Sequence, residues 1–269
     1  MKVLAFAGLA IALSAVIPAL QLSRLKQLAS TDGVLTSPQQ ELARQEEGLK
    51  QNLTATSQLP DFGYSNLFAN FSYLSFLQYF GNRDVREVVG YTNNPQFFEN
   101  IVARDPRFTH IYFYLSFAVS IYAASPEISV ALMEQGLQSM TPTNPTDSFY
   151  VWRYKATDEL LFLGNGEAAR QSHLMATDWA RQSPLPESQE VAERSLNTAE
   201  FLAQDVNSKP AQISAWAQVL SSAIDSKTQQ IAVDAIEALG GEILVSETGN
   251  ATVRYQVIPD ENESLSEQE

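Results

Sequence analysis

From Ser37 to Leu239 the sequence is punctuated at short intervals by residues that start and stop α-helices, and between these marks the apolar residues keep a helical period. Ser37-Pro38-Gln39-Gln40 sets the pattern, with a capping hydroxyl before a first-turn proline and Gln40 placed to close a capping box. A helix is expected from there to about Thr54. Pro60, Asp61 and Gly63 then break the chain, Asn66 to Phe80 reads as the next helix, and Gly81-Asn82 closes it. Asn94-Pro95 opens a third, which stops at Asp105-Pro106. Phe108 to Ala124, Pro126 to Met140, Thr146 to Leu163, Glu167 to Gln182, Glu187 to Asp205, Pro210 to Ile224 and Lys227 to Leu239 follow in the same manner. The exception is the C-terminus, where Ile243 to Ser246 and Thr252 to Ile258 alternate apolar and polar residues around Glu247-Thr248-Gly249-Asn250, the pattern of a β-hairpin. The expected class is therefore all-α with a small C-terminal β-hairpin.

Helix pairs of similar length joined by short turns raise the question of internal repeats. At 103–116 one helix ends at Asp105-Pro106 and the next begins with the aromatic Phe108. Tyr112 follows, then Leu115 three residues later and the small Ser116, with Val119 one turn on. This stretch resembles the junction between successive tetratricopeptide repeats, although the family prefers an aromatic residue where Val119 stands. Gly136-Leu137 takes the place of the family's Ala-Leu, and that helix ends at Pro142. In the next pair Arg153, Ala156, Thr157 and Leu160 follow the pattern in part. Gly164 falls at the turn glycine, Ala169 and Ala176 fall at the two small positions, and Pro184 comes a few residues late. The spacing from Tyr112 to Arg153 exceeds the roughly 34 residues of the family, the excess lying around Pro142-Thr143-Asn144-Pro145. The resemblance covers roughly Asn66 to Pro184. It implies a TPR-like array of antiparallel helix pairs, a right-handed α-solenoid, whose concave surface binds polypeptide. The family pattern has no catalytic residue to carry over.

Gly164-Asn165-Gly166 also raises the possibility of a phosphate-cradling loop at a helix start. A dinucleotide fingerprint needs a preceding strand and three glycines, and a P-loop needs Lys-Ser/Thr after its last glycine. This stretch has neither. Leu160 to Leu163 ends a helix, so Gly164 is expected to supply the backbone freedom that reverses one helix into the next.

Val3 to Leu20 contains eighteen residues without a charge, preceded by Lys2 and followed by Arg24 and Lys26. This is an export or anchoring signal. An uncleaved anchor is favoured over a cleaved signal peptide, because cutting at Ala12-Leu13-Ser14 would leave a short apolar region. The expected organisation is a signal anchor or signal peptide at 1–26, a linker at 27–37, a TPR-like helical domain at 38–240, the β-hairpin at 241–258 and an acidic, disordered tail at 259–269. The helical domain is placed on the exported side, periplasmic in a bacterial setting or lumenal. The alternative is an exported soluble protein after cleavage.

The chain has no cysteine, which excludes disulfides, thiolate metal sites and a cysteine nucleophile. A formal net charge of −14 argues against nucleic acid as a partner, since a phosphate backbone repels such a surface. His110 and His173 stand alone on their helices and are read as capping or packing residues. Asp158-Glu159 with Arg153 and Lys155 could suggest acid–base chemistry, but adjacent helical residues point in different directions, and Lys155 to Glu159 reads as an ordinary i,i+4 surface pair. No catalytic, cofactor-binding or metal-binding residue is assigned, and an enzyme is not expected.

Two aromatic stretches, between Asp61 and Arg83 and from Ile111 to Pro126, carry no charge. Polar interruptions in the first and the shortness of the second argue against membrane spans. They read as the two best-buried helices, apolar around most of their circumference. A sharper expectation is that part of this surface docks a partner, with Tyr73, Tyr79, Tyr112 and Tyr114 as the candidate contacts. The leading functional reading is a membrane-anchored, protein-binding scaffold or assembly factor for a membrane complex. A permanent structural subunit of a large membrane assembly is the alternative, followed by a hydrolase or small-molecule binder whose site no motif reveals.

Overall fold

The computed structural model describes residues 38–204, 209–223, 226–245 and 251–255. The apolar leader, the linker, the end of the hairpin at 256–258 and the acidic tail lie outside the described residues. The chain divides into two compact units, Met1–Glu41 and Leu42–Glu269. Only 38–41 of the first are described, and they form the opening of a helix; the account below concerns the second unit.

The described residues are mostly helical, with one small two-stranded antiparallel sheet. In chain order the helices are α1 (Pro38–Ser57), α2 (Ser65–Gly81), α3 (Arg83–Val89), α4 (Asn94–Arg104), α5 (His110–Leu115), α6 (Pro126–Leu137), α7 (Phe149–Leu161), α8 (Gly166–Gln182), α9 (Ser188–Gln204), α10 (Lys209–Ser222) and α11 (Ser226–Ala238). Strands β1 (Gly241–Val245) and β2 (Ala251–Tyr255) follow. The expected segments map onto these elements within a few residues. One helix went unforeseen: α3 is too short for its apolar period to stand out.

α5 continues without a break into a π-helical segment, Ser116–Tyr122, so the expected single helix from Phe108 to Ala124 changes its winding halfway. Ala123 N–H donates to Ala118 O at 3.1 Å, the five-residue reach that defines this wider turn.

A large core joins α1, α2 and α4 through α9, built on Phe76, Phe97, Phe98, Ile101, Tyr112, Met133 and Phe149. Phe76 packs on Phe98 with ring centroids 4.7 Å apart, and Tyr79 on Phe97 at 5.1 Å, which fixes α2 on α4. Consecutive helices also pack on each other, α6 on α7, α7 on α8 and α8 on α9. A second core forms around Ile213, Trp216, Val219, Ala232 and Ile236. The hairpin belongs to it: Ile243 and Val253 are paired across the ladder and both pack there, while Glu242 and Arg254 pair on the exposed side.

Gly164 does what the sequence implied. It sits at φ +63° between α7 and α8, and Asn165 caps α8 by accepting the Ala168 N–H at 3.1 Å. A β-carbon on Gly164 would also stand 2.7 Å from Gln212 Oε1, the tip of a side chain that can shift, so it is the backbone conformation that asks for glycine.

Two expectations need correction. The first concerns α7, where Lys155 and Glu159 are not a surface pair: both are buried, with Lys155 Nζ 2.5 Å from Glu159 Oε1. Glu159 also accepts from Ser172 Oγ of α8 at 2.6 Å. Asp158, fully buried, faces the other way and accepts from Ser116, Ser120 and Ser129 at 2.7, 2.6 and 2.7 Å. Adjacent residues do point apart, but α7 has packed neighbours on both sides, so each direction ends in the interior. Burial pushes the Asp158 carboxyl up, and the three hydroxyls oppose that in part.

The second correction concerns α2, which is not apolar all round because it is enclosed. Its inner face carries Ala69, Phe76 and Tyr79, whereas Leu67, Phe71 and Leu74 on the outer face are 61%, 64% and 58% exposed. Among the described residues nothing covers that face. No described helix is long and apolar enough to cross a membrane.

Candidate functional site

An open groove of about 670 Å³ lies where the first turns of α5, α7 and α9 come together. Its position follows from helical spacing. On α5, His110 and Tyr114 are one turn apart, with Phe113 beside them. Tyr150 and Tyr154, one turn apart on α7, line one side with Asp147 just before that helix, and Leu185 and Glu187 enter from the turn before α9.

The walls are aromatic. Phe113 meets Tyr154 nearly edge-on with centroids 5.9 Å apart and Tyr114 at 5.5 Å, and Tyr150 lies almost parallel to Tyr154 at 6.3 Å. Phe113 and Tyr114 are exposed, while Tyr150 and Tyr154 are half-buried. Burial raises the Tyr154 phenol, with the neighbouring Tyr150 adding to the shift, so Tyr154 presents an uncharged ring and hydroxyl near neutrality.

The rim is acidic. Asp147 accepts a hydrogen bond from Thr109 Oγ1 at 2.7 Å, which fixes its carboxylate across the start of α5. Glu187 is exposed just before α9. Each acid precedes a helix N-terminus, where the macrodipole favours negative charge. No lysine or arginine lines the groove.

The four tyrosines singled out from sequence divide between two environments. Tyr114 lines the groove, and Tyr73 packs on it from α2 with ring centroids 5.8 Å apart. Burial pushes the Tyr73 hydroxyl up to about 12, and its hydrogen bond with Tyr114 adds to this. Tyr79 and Tyr112 are interior, which corrects their reading as contacts for a partner. Tyr79 donates to Glu46 Oε2 at 3.0 Å, and Tyr112 donates to the Pro106 carbonyl at 2.7 Å. The uncharged stretch drew attention to all four, but it cannot tell the inner side of α2 or α5 from the outer. Phe113, Asp147, Tyr150, Tyr154 and Glu187 were missed; the signal available was the tyrosine pair at i,i+4 with an acid three residues before it.

Of the two histidines, His110 is exposed at the groove and His173 is buried, its Nδ1 without a hydrogen-bond partner. Among the described residues no group of three His, Asp or Glu side chains could hold a metal ion. Comparison of the chain with known protein families, curated proteins and solved structures finds no match.

Proposed function

We propose that this chain is a membrane-anchored, TPR-like scaffold or assembly factor that holds a segment of another protein in the groove between α5, α7 and α9. The observation that carries this reading is which helices line the groove. α5, α7 and the entry to α9 supply its walls, while the intervening α6 and α8 supply none. A stack of antiparallel helix pairs creates an extended concave surface on which several repeats together contact a ligand, and a groove walled by every second helix fits such a surface. The packing of successive helices and the resemblance around Tyr112, Gly136 and Gly164 support the same arrangement. The anchor in this reading is the apolar run from Val3 to Leu20, with the helical domain on the exported side.

The test is a pull-down from detergent-solubilised membranes with the full chain and with a Phe113→Ser/Tyr154→Ser variant, read by mass spectrometry. A reproducible set of proteins held by the first and lost from the second is expected. Equal recovery with both, at equal thermal stability, overturns the groove as the binding site. Release of the chain from membranes by an alkaline carbonate wash overturns the anchor.

A permanent structural subunit is the second reading, favoured by the uncovered side of α2. Leu67, Phe71 and Leu74 form a contiguous apolar face of the kind that neighbours in a fixed complex conceal. Native gel electrophoresis separates the two. A single large species supports the subunit, and an exchanging or monomeric pool supports the scaffold.

A further inference from the structure

Resting on the groove as a protein-binding site, we infer that its occupant is an extended segment bearing a lysine or arginine, with the cation seated between the aromatic walls and the carboxylates of Asp147 and Glu187. The two features of the lining point to the same chemistry. Aromatic faces attract cations through their quadrupole, and they do so within about 6 Å of a ring centroid. Phe113, Tyr114, Tyr150 and Tyr154 offer four such rings around one space. The two carboxylates add fixed negative charge, and the lining holds no lysine or arginine to oppose them, His110 being its one basic side chain. Asp147 is already oriented by the Thr109 hydroxyl, so little ordering remains to be done when the ligand arrives.

Other occupants leave part of the lining without a role. A phosphate-bearing ligand would meet two carboxylates and no lysine or arginine, with the imidazole of His110 as the one basic group in reach. A neutral proline-rich strand would use the aromatic walls but not the acids. A basic segment uses both, and the formal charge of −14 on the whole chain draws it in over longer range. The stem of a lysine or arginine would lie along the rings, with its head at the rim.

The experiment is an unbiased selection of short phage-displayed peptides on the full chain in detergent micelles. Direct titration of the enriched peptides, fluorescently labelled, then follows. Enrichment of sequences with at least one lysine or arginine is expected. Their affinity should fall about tenfold in Glu187→Gln, further in Asp147→Asn/Glu187→Gln, and progressively with added salt. Glu187 is exposed, so its amide variant keeps the fold, and a thermal melt verifies this for the double variant. Enriched peptides without a basic residue, or basic peptides indifferent to both substitutions, overturn the cation while leaving the groove reading in place. No enriched peptide at all, or binding unchanged by Phe113→Ser/Tyr154→Ser, overturns the groove reading itself.

Discussion

The hydroxyl of Tyr112 lies against Gly136, so close that a β-carbon on the glycine would come within 1.8 Å of Tyr112 Oη and 2.5 Å of Cζ. Tyr112 is fully buried and its hydroxyl is held by the Pro106 carbonyl, so the ring has nowhere to retreat. Gly136→Ala gains about 1 kcal/mol of helix propensity, but overpacking of this kind costs about 1–3 kcal/mol. A contact this short puts the cost at the upper end, so the expected outcome is a net loss of roughly 2 kcal/mol in urea unfolding. Adding Tyr112→Phe should restore only part of it, because Cζ remains in contact. A Gly136→Ala protein as stable as the parent would show that α5 and α6 can move apart there.

α1 is fastened by a buried charge cluster. Arg86 on α3 forms an ion pair with Glu46 and donates to the Gly90 carbonyl at 2.7 Å. Tyr79 and Asn93 also bind the Glu46 carboxylate, at 3.0 and 2.9 Å. Removing one partner strands the other charge in a nearly dry setting, at a cost of about 3–5 kcal/mol. Glu46→Ala should therefore destabilise strongly and speed amide exchange along α1. Glu46→Leu/Arg86→Met should be less damaging than Glu46→Ala alone. Exchange in α1 that is unchanged in Glu46→Ala would contradict the fastening.

Burial, with the nearby Arg153 adding to it, lowers His173 to about 4. The folded value is then below the unfolded value of about 6.5, so the unfolded chain takes up a proton that the fold refuses. Stability is intact above about pH 6.5 and declines as pH falls toward 4, by on the order of 2 kcal/mol between about pH 7.5 and about pH 5. Asp158 works in the opposite sense: its raised carboxyl binds a proton more readily in the fold, which adds stability as pH falls. The measurement is therefore a difference. Urea unfolding of His173→Gln should lose about 2 kcal/mol less than the parent over that interval, and parallel curves would show that the imidazole titrates normally.

The outer side of α2 offers a separation of stability from surface chemistry. Leu67, Phe71 and Leu74 are exposed, so replacing all three with serine should change unfolding free energy by no more than about 0.5 kcal/mol per site. The same variant should bind less of a dye that reports apolar surface and should associate less at high concentration. A large drop in thermal stability would mean that the face is covered in the full chain.

The helices and their ends were legible because their causes are local. Pro38, Asn94-Pro95, Gly164 and Asn165 act through the conformation of their own few residues, and the alternation around Ile243 and Val253 acts within one hairpin. The α2 stretch was legible as uncharged, but the inference from that to complete enclosure failed. A side chain's surroundings depend on which helices arrive beside it, and α2 has a packed neighbour on one side only among the described residues. The same reason made Lys155 and Glu159 look like surface residues when α7 has helices on both sides.

By itself the sequence determined a mostly helical chain, the turn at Gly164, the closing hairpin and an acidic charge balance, since hydrogen bonding, backbone freedom and formal charge are properties of short segments or of sums. Only the tertiary structure decided that Tyr79 and Tyr112 are interior, that Asp158 meets three serines, and that residues from three separate helix starts share one acidic, aromatic groove. Those are matters of proximity between residues up to 78 positions apart, and proximity at that range is fixed by packing, which a linear pattern does not carry.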